Sequence, residues 1–285
     1  MNDHVDLHLH STHSDGVLDP AALVTLVANA GVTLFALTDH DTVDGLEAAA
    51  SVARAKGLTA IPGVELSCRW LGRSLHVVGL GLDPGAATLG ALLAELKGLR
   101  AARAEAIATA LERAGAPGRA ALGALGGIAL PTRTHFARAL VALGAARDVA
   151  AAFSRYLARG KAGDIRVEWP ALEQVVGAIG ASGGVAVLAH PLRYMLSAGQ
   201  RRQLVKEFRL AGGVALEVVT GGAAPHQVEA ALGLALRAGL EGSVGSDCHD
   251  PGLAWHRPDR LAKLPEAVAP VWHRWDPTRR RALQA

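Results

Sequence analysis

The chain has 285 residues, half of them hydrophobic but only 4% aromatic, so Ala, Leu and Val must supply most of the packing. Its formal charge of +3 does not compel a nucleic-acid partner, and two cysteines, Cys68 and Cys248, are too few for a disulfide framework. The apolar runs are broken by Gly, Asp, Arg or His before they reach membrane-spanning length. The opening MNDHVDLHLH is too polar for a signal peptide, so a cytoplasmic location is expected.

Taken in chain order, Val5–His10 reads as a strand, Pro20–Ala30 as a helix, Val32–Thr38 as a strand and Val43–Lys56 as a helix. Short apolar runs follow at Leu58–Pro62, Val64–Trp70 and Ser74–Leu80. This alternation predicts parallel strands joined by crossover helices. From Leu89 to Arg113 the pattern is one long helix. The Gly/Ala-rich stretch after it, GAPGRAALGALGGIALP, is weakly patterned and reads as a mobile connector. Helices are predicted over Thr132–Leu143 and Asp148–Leu157, ending in the turn Arg159-Gly160-Lys161-Ala162-Gly163. The alternation then resumes: helix Pro170–Ser182, strand Val185–Ala189, helix Ala198–Ala211, strand Val214–Val219, helix Ala224–Ala238 and a short strand Ser243–Gly245. There is no internal repeat. The organisation expected is an α/β barrel formed by residues 1–99 and 167–285, interrupted by a helical insertion over 100–166.

The chemistry-bearing residues fall at strand ends. In Asp6-Leu7-His8-Leu9-His10 the two imidazoles are at i and i+2 and so face the same side of a strand. Asp15 lies in the next turn, His40 follows the second strand within Thr38-Asp39-His40-Asp41, and Glu65 follows Pro62-Gly63-Val64. His76 lies in the next strand-like run, His190 ends VAVLA just before Pro191, and Asp247 and His249 again sit at i and i+2. Each is read at the C-terminal end of a strand or in the loop after it, where barrel active sites collect. Unrelated surface histidines would not fall in this pattern. The nitrogen and oxygen donors, without cysteine, suit Mn, Fe or Zn, and a bridging carboxylate suits more than one ion. Cys248 lies between two candidate ligands and should face away from them into the wall. Asp39, Asp41 and His13 are candidates to orient ligands or move a proton, with Asp41 alternatively a helix N-cap.

In combination, DLHLHSTHSDG, ALTDHDT, PGVELS, LHVVGLG, LAHP and GSDCH resemble the PHP (polymerase and histidinol phosphatase) phosphoesterases. The chain is most similar to the branch of nucleoside 3′,5′-bisphosphate phosphatases that are also described as trimming RNA 5′ ends. RTHFARALV and the segment ending YLARGK carry the likeness through the insertion. The resemblance implies a distorted (β/α)7 TIM-like barrel with a trinuclear site. His8, His10, Glu65 and Asp247 would bind one ion, Glu65 would bridge to a second held by His76 and His190, and Asp15, His40 and His249 would hold a third. Of these, Asp15, His40, Glu65, His190, Asp247 and His249 are also expected to act in catalysis. The implied reaction is hydrolysis of a phosphomonoester by a metal-activated hydroxide, with three divalent ions, manganese above all, and no Ser or Cys nucleophile.

A substrate with two phosphates needs a basic cluster beside the metals. Arg133, His135 and Lys161 of the insertion and Arg193 of the barrel are the expected readers, because Arg forks match phosphate oxygens. Arg138 reads as a solvated helix-face charge. After Arg159-Gly160-Lys161, relatives usually carry a proline and an aromatic where this chain has Ala162-Gly163-Asp164, so a base-stacking ring is missing there. The expected partners are a small phosphorylated nucleotide and short RNA, with no membrane and no obligate protein. Histidinol phosphate is the alternative substrate, and a silent metal-stabilised domain the alternative class. The presence of all nine candidate ligands disfavours the silent domain. The basic end Arg279-Arg280-Arg281 reads as a solvated tail.

Overall fold

A computed structural model describes residues 4–253 and 257–275. The chain divides into two compact units, residues 1–90 with 170–285, and residues 91–169. Among the described residues no helix is long and apolar enough to cross a membrane.

The first unit runs β1 (Val5–Leu9), α1 (Pro20–Asn29), β2 (Leu34–Leu37), α2 (Leu46–Lys56), β3 (Thr59–Trp70) and β4 (Arg73–Leu80). After the second unit it continues with α7 (Leu172–Ala181), β5 (Val185–Leu188), α8 (Ala198–Leu210), β6 (Ala215–Thr220), α9 (Pro225–Ala238) and β7 (Glu241–Gly245). The seven strands lie in sequence order in one sheet. β7 returns to β1 through a parallel bridge between Leu9 and Cys248, with the His10 N–H donating to Cys248 O at 3.0 Å and the Asp247 N–H to His8 O at 2.9 Å. The result is the distorted seven-stranded β/α barrel that the sequence led us to expect. Around β1 and β2, the apolar faces of α1 and α2 bury Leu23, Val24, Val27, Ala49 and Ala53 against Leu9, Phe35, Leu37 and Cys248. Cys248 thus packs in the wall. Asp19 starts α1 by accepting the Ala22 N–H at 2.8 Å, with Pro20 pre-set in the first turn.

The strand directions depart from expectation. β4 is antiparallel to both β3 and β5. Trp70 pairs with Arg73, which leaves Leu71-Gly72 as a two-residue loop with φ of 46° and 68°. Positive φ at both positions matches the twist of a tight hairpin, and glycine takes it without strain. A link that short cannot make a parallel crossover. The runs at Leu58–Pro62 and Val64–Trp70 are also one strand, β3, rather than two.

The second unit contains the long helix α3 (Ala87–Arg113, whose first turn belongs to the barrel unit), α4 (Gly118–Ala124), α5 (Arg133–Ala142) and α6 (Val149–Ala152), which runs into a π-helical turn at Phe153–Leu157. Its core is Ile107, Leu111, Phe136, Leu140, Tyr156 and Leu157 set among alanines. Within the weakly patterned Gly/Ala-rich stretch, Gly118–Ala124 forms α4, with Ala121 and the C-cap residue Leu125 buried in that core. Tertiary packing supplies what the local pattern lacked.

Candidate metal centre

Six of the seven strands deliver the predicted residues to one mouth of the barrel. β1 carries His8 and leads into His10, while His40 follows β2 and pairs as a parallel bridge with Glu65 of β3. His190 follows β5, and Asp247 and His249 follow β7. His76 does not sit at a C-terminal strand end, as the sequence reading had it. Because β4 runs backwards, the first half of that strand faces the mouth, and His76 there pairs with Ser67. Glu65 likewise lies within β3, not after it.

Glu65 is the centre of the arrangement. Its Oε2 stands 2.8 Å from His40 Nδ1, 3.2 Å from His8 Nε2 and 3.3 Å from His10 Nε2. Its Oε1 stands 3.0 Å from both His76 Nδ1 and His190 Nε2. Asp247 Oδ1 is 3.2 Å from His10 Nε2 and 3.4 Å from His249 Nδ1, and Asp15 Oδ1 is 3.1 Å from His249 Nε2. Among the described residues, three overlapping groups have donor atoms within 4.8 Å of one another: His8, His10, Glu65 and Asp247; His10, Asp15, His40 and His249; and His40, Glu65 and His76. His190 is outside these groups but touches the same carboxylate.

Burial would raise the Glu65 carboxyl, but the facing His40, His76 and His8 hold it well below the usual range. Asp247 and Asp15 are held low in the same way, against burial, chiefly by His249. Burial lowers His10 to about 3, so that ring is a neutral donor. Burial also works against charge on His249, yet Asp15 and Asp247 bring it up to about 9. Buried His8 Nε2, His10 Nε2, Asp15 Oδ1, Glu65 Oε2 and His76 Nδ1 have no well-aligned hydrogen bond. Leaving such atoms unsatisfied costs about 1–3 kcal/mol each. Lone pairs converging from imidazoles and carboxylates on one small volume fit divalent cations.

A further layer of hydrogen bonds orients these side chains. Asp39 accepts from Ser11 Oγ and Ser14 Oγ, each at 2.6 Å, and Ser14 Oγ lies 3.4 Å from His10 Nδ1. Asp41, at φ 53°, accepts the Ser67 N–H at 2.7 Å, whereas the N-cap position of α2 is Gly45. Asp41 is therefore a tie between strands and not a helix cap. His13 is exposed, and its backbone N–H donates to Ser11 Oγ at 3.2 Å. Asp6 and Glu217 escaped the sequence reading. Buried Asp6, its carboxyl pushed up to about 7 by burial, accepts the Ser246 N–H at 2.9 Å and the His8 N–H at 3.3 Å. Buried Glu217, on β6, accepts from His8 Nδ1 at 3.0 Å and from the His190 N–H at 2.6 Å. The signal that could have found both is an ionisable residue inside an otherwise apolar strand, which must have partners.

Of the expected phosphate readers, only Arg193 is in the barrel unit. It pairs with Asp247 through Nη1 and donates from Nη2 to Gly221 O at 3.0 Å. Beside it opens a cavity of about 330 Å³ lined by His190, Arg193, Glu217, Thr220 and Gln227 among others. In the helical unit, Arg133 lies 3.8 Å from Asp164, Lys161 is exposed, and His135 accepts the Thr132 N–H at Nδ1, closing a capping box on α5. Arg279–Arg281 lie outside the described residues.

A closed β/α barrel whose mouth is lined by imidazoles and carboxylates defines a hydrolase of the metal-site type. Residues 6–113 match the PHP domain. The chain is 40% identical over 279 residues to the 5′-3′ exoribonuclease of Haemophilus influenzae, covering 96% of this chain and all of that one. It is 38% identical to the 3′,5′-nucleoside bisphosphate phosphatase of Chromobacterium violaceum, over 94% of this chain and 95% of the relative. A solved structure from C. violaceum, described as an amidohydrolase with bound sulfate and no metal, superposes with a TM-score of 0.89 at 38% identity, covering 94% of each chain. The chain belongs to the PHP domain family and is a phosphoesterase.

Proposed function

We propose that this protein hydrolyses phosphomonoesters of nucleotides, nucleoside 3′,5′-bisphosphates first and the 5′ ends of short RNA second. The observation that carries the reading is the convergence of His8, His10, Asp15, His40, Glu65, His76, His190, Asp247 and His249 around one shared carboxylate. These residues would hold three divalent ions, manganese foremost. Bound there, the ions would neutralise phosphate charge and make water a usable nucleophile at neutral pH.

The protein's own contribution is orientation. Glu65 would be shared between cations, Asp39 through Ser14 would fix the His10 ring, and the hydrogen bond from His8 Nδ1 to Glu217 would aim Nε2 at the centre. Arg193, adjoining Asp247, is suited to a substrate phosphate oxygen. Arg133 and Lys161 are assigned to phosphate recognition on their chemistry, and His135 to the same task alongside its cap. The relatives named above support the substrate class. Their activities, bisphosphate phosphatase and exoribonuclease, both act at a phosphate ester of a nucleoside.

The test measures, with manganese-reconstituted protein, phosphate released from adenosine 3′,5′-bisphosphate and from histidinol phosphate, and mononucleotides released from a 5′-phosphorylated RNA oligomer. Turnover of the bisphosphate is expected to dominate, with KM raised in Arg133→Ala. Turnover of histidinol phosphate alone would overturn the substrate assignment and keep the chemistry.

A further inference from the structure

Glu217 lies behind the metal-site residues, outside all three donor groups. It is buried in β6, a strand with no exposed position. Such a carboxylate is costly unless its oxygens are occupied. Both are. Oε1 takes His8 Nδ1 at 3.0 Å, while Oε2 takes the His190 N–H at 2.6 Å and the Thr220 hydroxyl at 3.2 Å.

These contacts constrain two candidate ligands from different strands. An imidazole that donates from Nδ1 keeps its Nε2 lone pair free, and His8 Nε2 is the atom facing Glu65 and Asp247. His190 holds φ at 28°, a strained conformation for a non-glycine residue that persists only where surroundings enforce it. The Glu217 bond to its N–H is one such constraint. Room for the arrangement depends on Gly245 in the neighbouring strand, where a Cβ would collide with His8 Cβ and Glu217 Oε1.

We infer that Glu217 is a positioning residue for the metal centre, fixing the His8 tautomer and the His190 backbone so that their ring nitrogens address Glu65. The inference rests on the cation-binding reading above. It assigns Glu217 no contact with substrate.

The test titrates chelator-stripped protein with Mn²⁺ by calorimetry, in wild type and Glu217→Gln, and records the melting temperature of each stripped protein. Loss of such an orienting partner typically weakens metal binding about 10–100-fold. That loss is expected in Glu217→Gln, with a stripped melting temperature within a few degrees of wild type. Affinity within about threefold of wild type would overturn the role. So would a lowered melting temperature with affinity intact, which would make Glu217 a folding residue only. Wild-type protein that binds no Mn²⁺ would instead overturn the cation reading itself. Should Glu217→Gln fail to fold, wild-type protein loaded with ¹¹³Cd decides the question. Cadmium coupling on His8 Nε2 with the proton on Nδ1 is expected in its ¹⁵N spectrum, and the reverse arrangement would refute the assignment.

Discussion

In the helical unit the buried volume is filled by Phe136, Leu140 and Leu157 among alanines, and charged pairs such as Arg119 with Glu105 stand at the surface. At the barrel mouth the buried volume is filled by imidazoles and carboxylates, with His8 and His190 held by Glu217 and His10 by Ser14, which in turn donates to Asp39. Burial in the first region is stabilising through apolar area. In the second it is costly and is tolerated because charges and lone pairs oppose one another at about 3 Å. The strain is also local to the second. Among the described residues, positive φ outside glycine occurs at Asp41, His190 and Asp247 at the mouth, and elsewhere at the hairpin residue Leu71. A region that concentrates unfavourable burial and strained backbone is built for binding, not for stability.

Substitutions can break or sharpen this contrast. Glu65→Gln should have the largest effect, because one change removes the charge shared by histidines of four strands, β1, β2, β4 and β5. Phosphate release is expected to fall about 10³-fold or more, corresponding to several kcal/mol of lost charge stabilisation. Phe136→Ala, in the helical unit, should cost about 3–5 kcal/mol of stability by opening a cavity, readable by denaturant unfolding. Stripping metal from the wild type should lower the melting temperature. Cation present at a hundred times its dissociation constant contributes about 2.7 kcal/mol, and that is what chelation removes.

Asp6 gives a pH-dependent difference. Its folded value of about 7 lies above the unfolded one, so the folded state binds the extra proton. Its contribution is present at pH below about 4 and is lost as pH rises to about 7. Stripped Asp6→Asn should therefore gain on wild type across that window and then level off, measured by thermal melts at successive pH values. A flat difference would show that Asp6 titrates normally. Arg119→Ala should do least. Its pair with Glu105 is more than half exposed, and surface pairs contribute about 0–1 kcal/mol.

The sequence was most informative where donor type and spacing carry the chemistry. His8 and His10, and Asp247 and His249, are two apart, and their shared orientation follows from the strand period alone. Asp39 and Asp41 were legible as helpers, though not which of them serves a ligand and which ties strands. The direction of β4 was missed despite the Leu71-Gly72 turn, because alternation was extrapolated across it. α4 was missed because alanine gives little periodic contrast, so Ala121 acquires its meaning only from the core it enters. Glu217 was passed over because it stands alone in its strand. Its partners, His8 and His190, are remote in sequence, and only the closed sheet brings the three together.

If the imidazole–carboxylate mouth hydrolyses phosphate esters with divalent cations, activity must follow the metal. The most direct test measures phosphate release from adenosine 3′,5′-bisphosphate before chelation, after chelation confirmed by elemental analysis, and after Mn²⁺ is restored. Activity, its loss and its recovery are expected, with no recovery in Glu65→Gln. Undiminished turnover by protein shown to be free of metal would contradict that dependence.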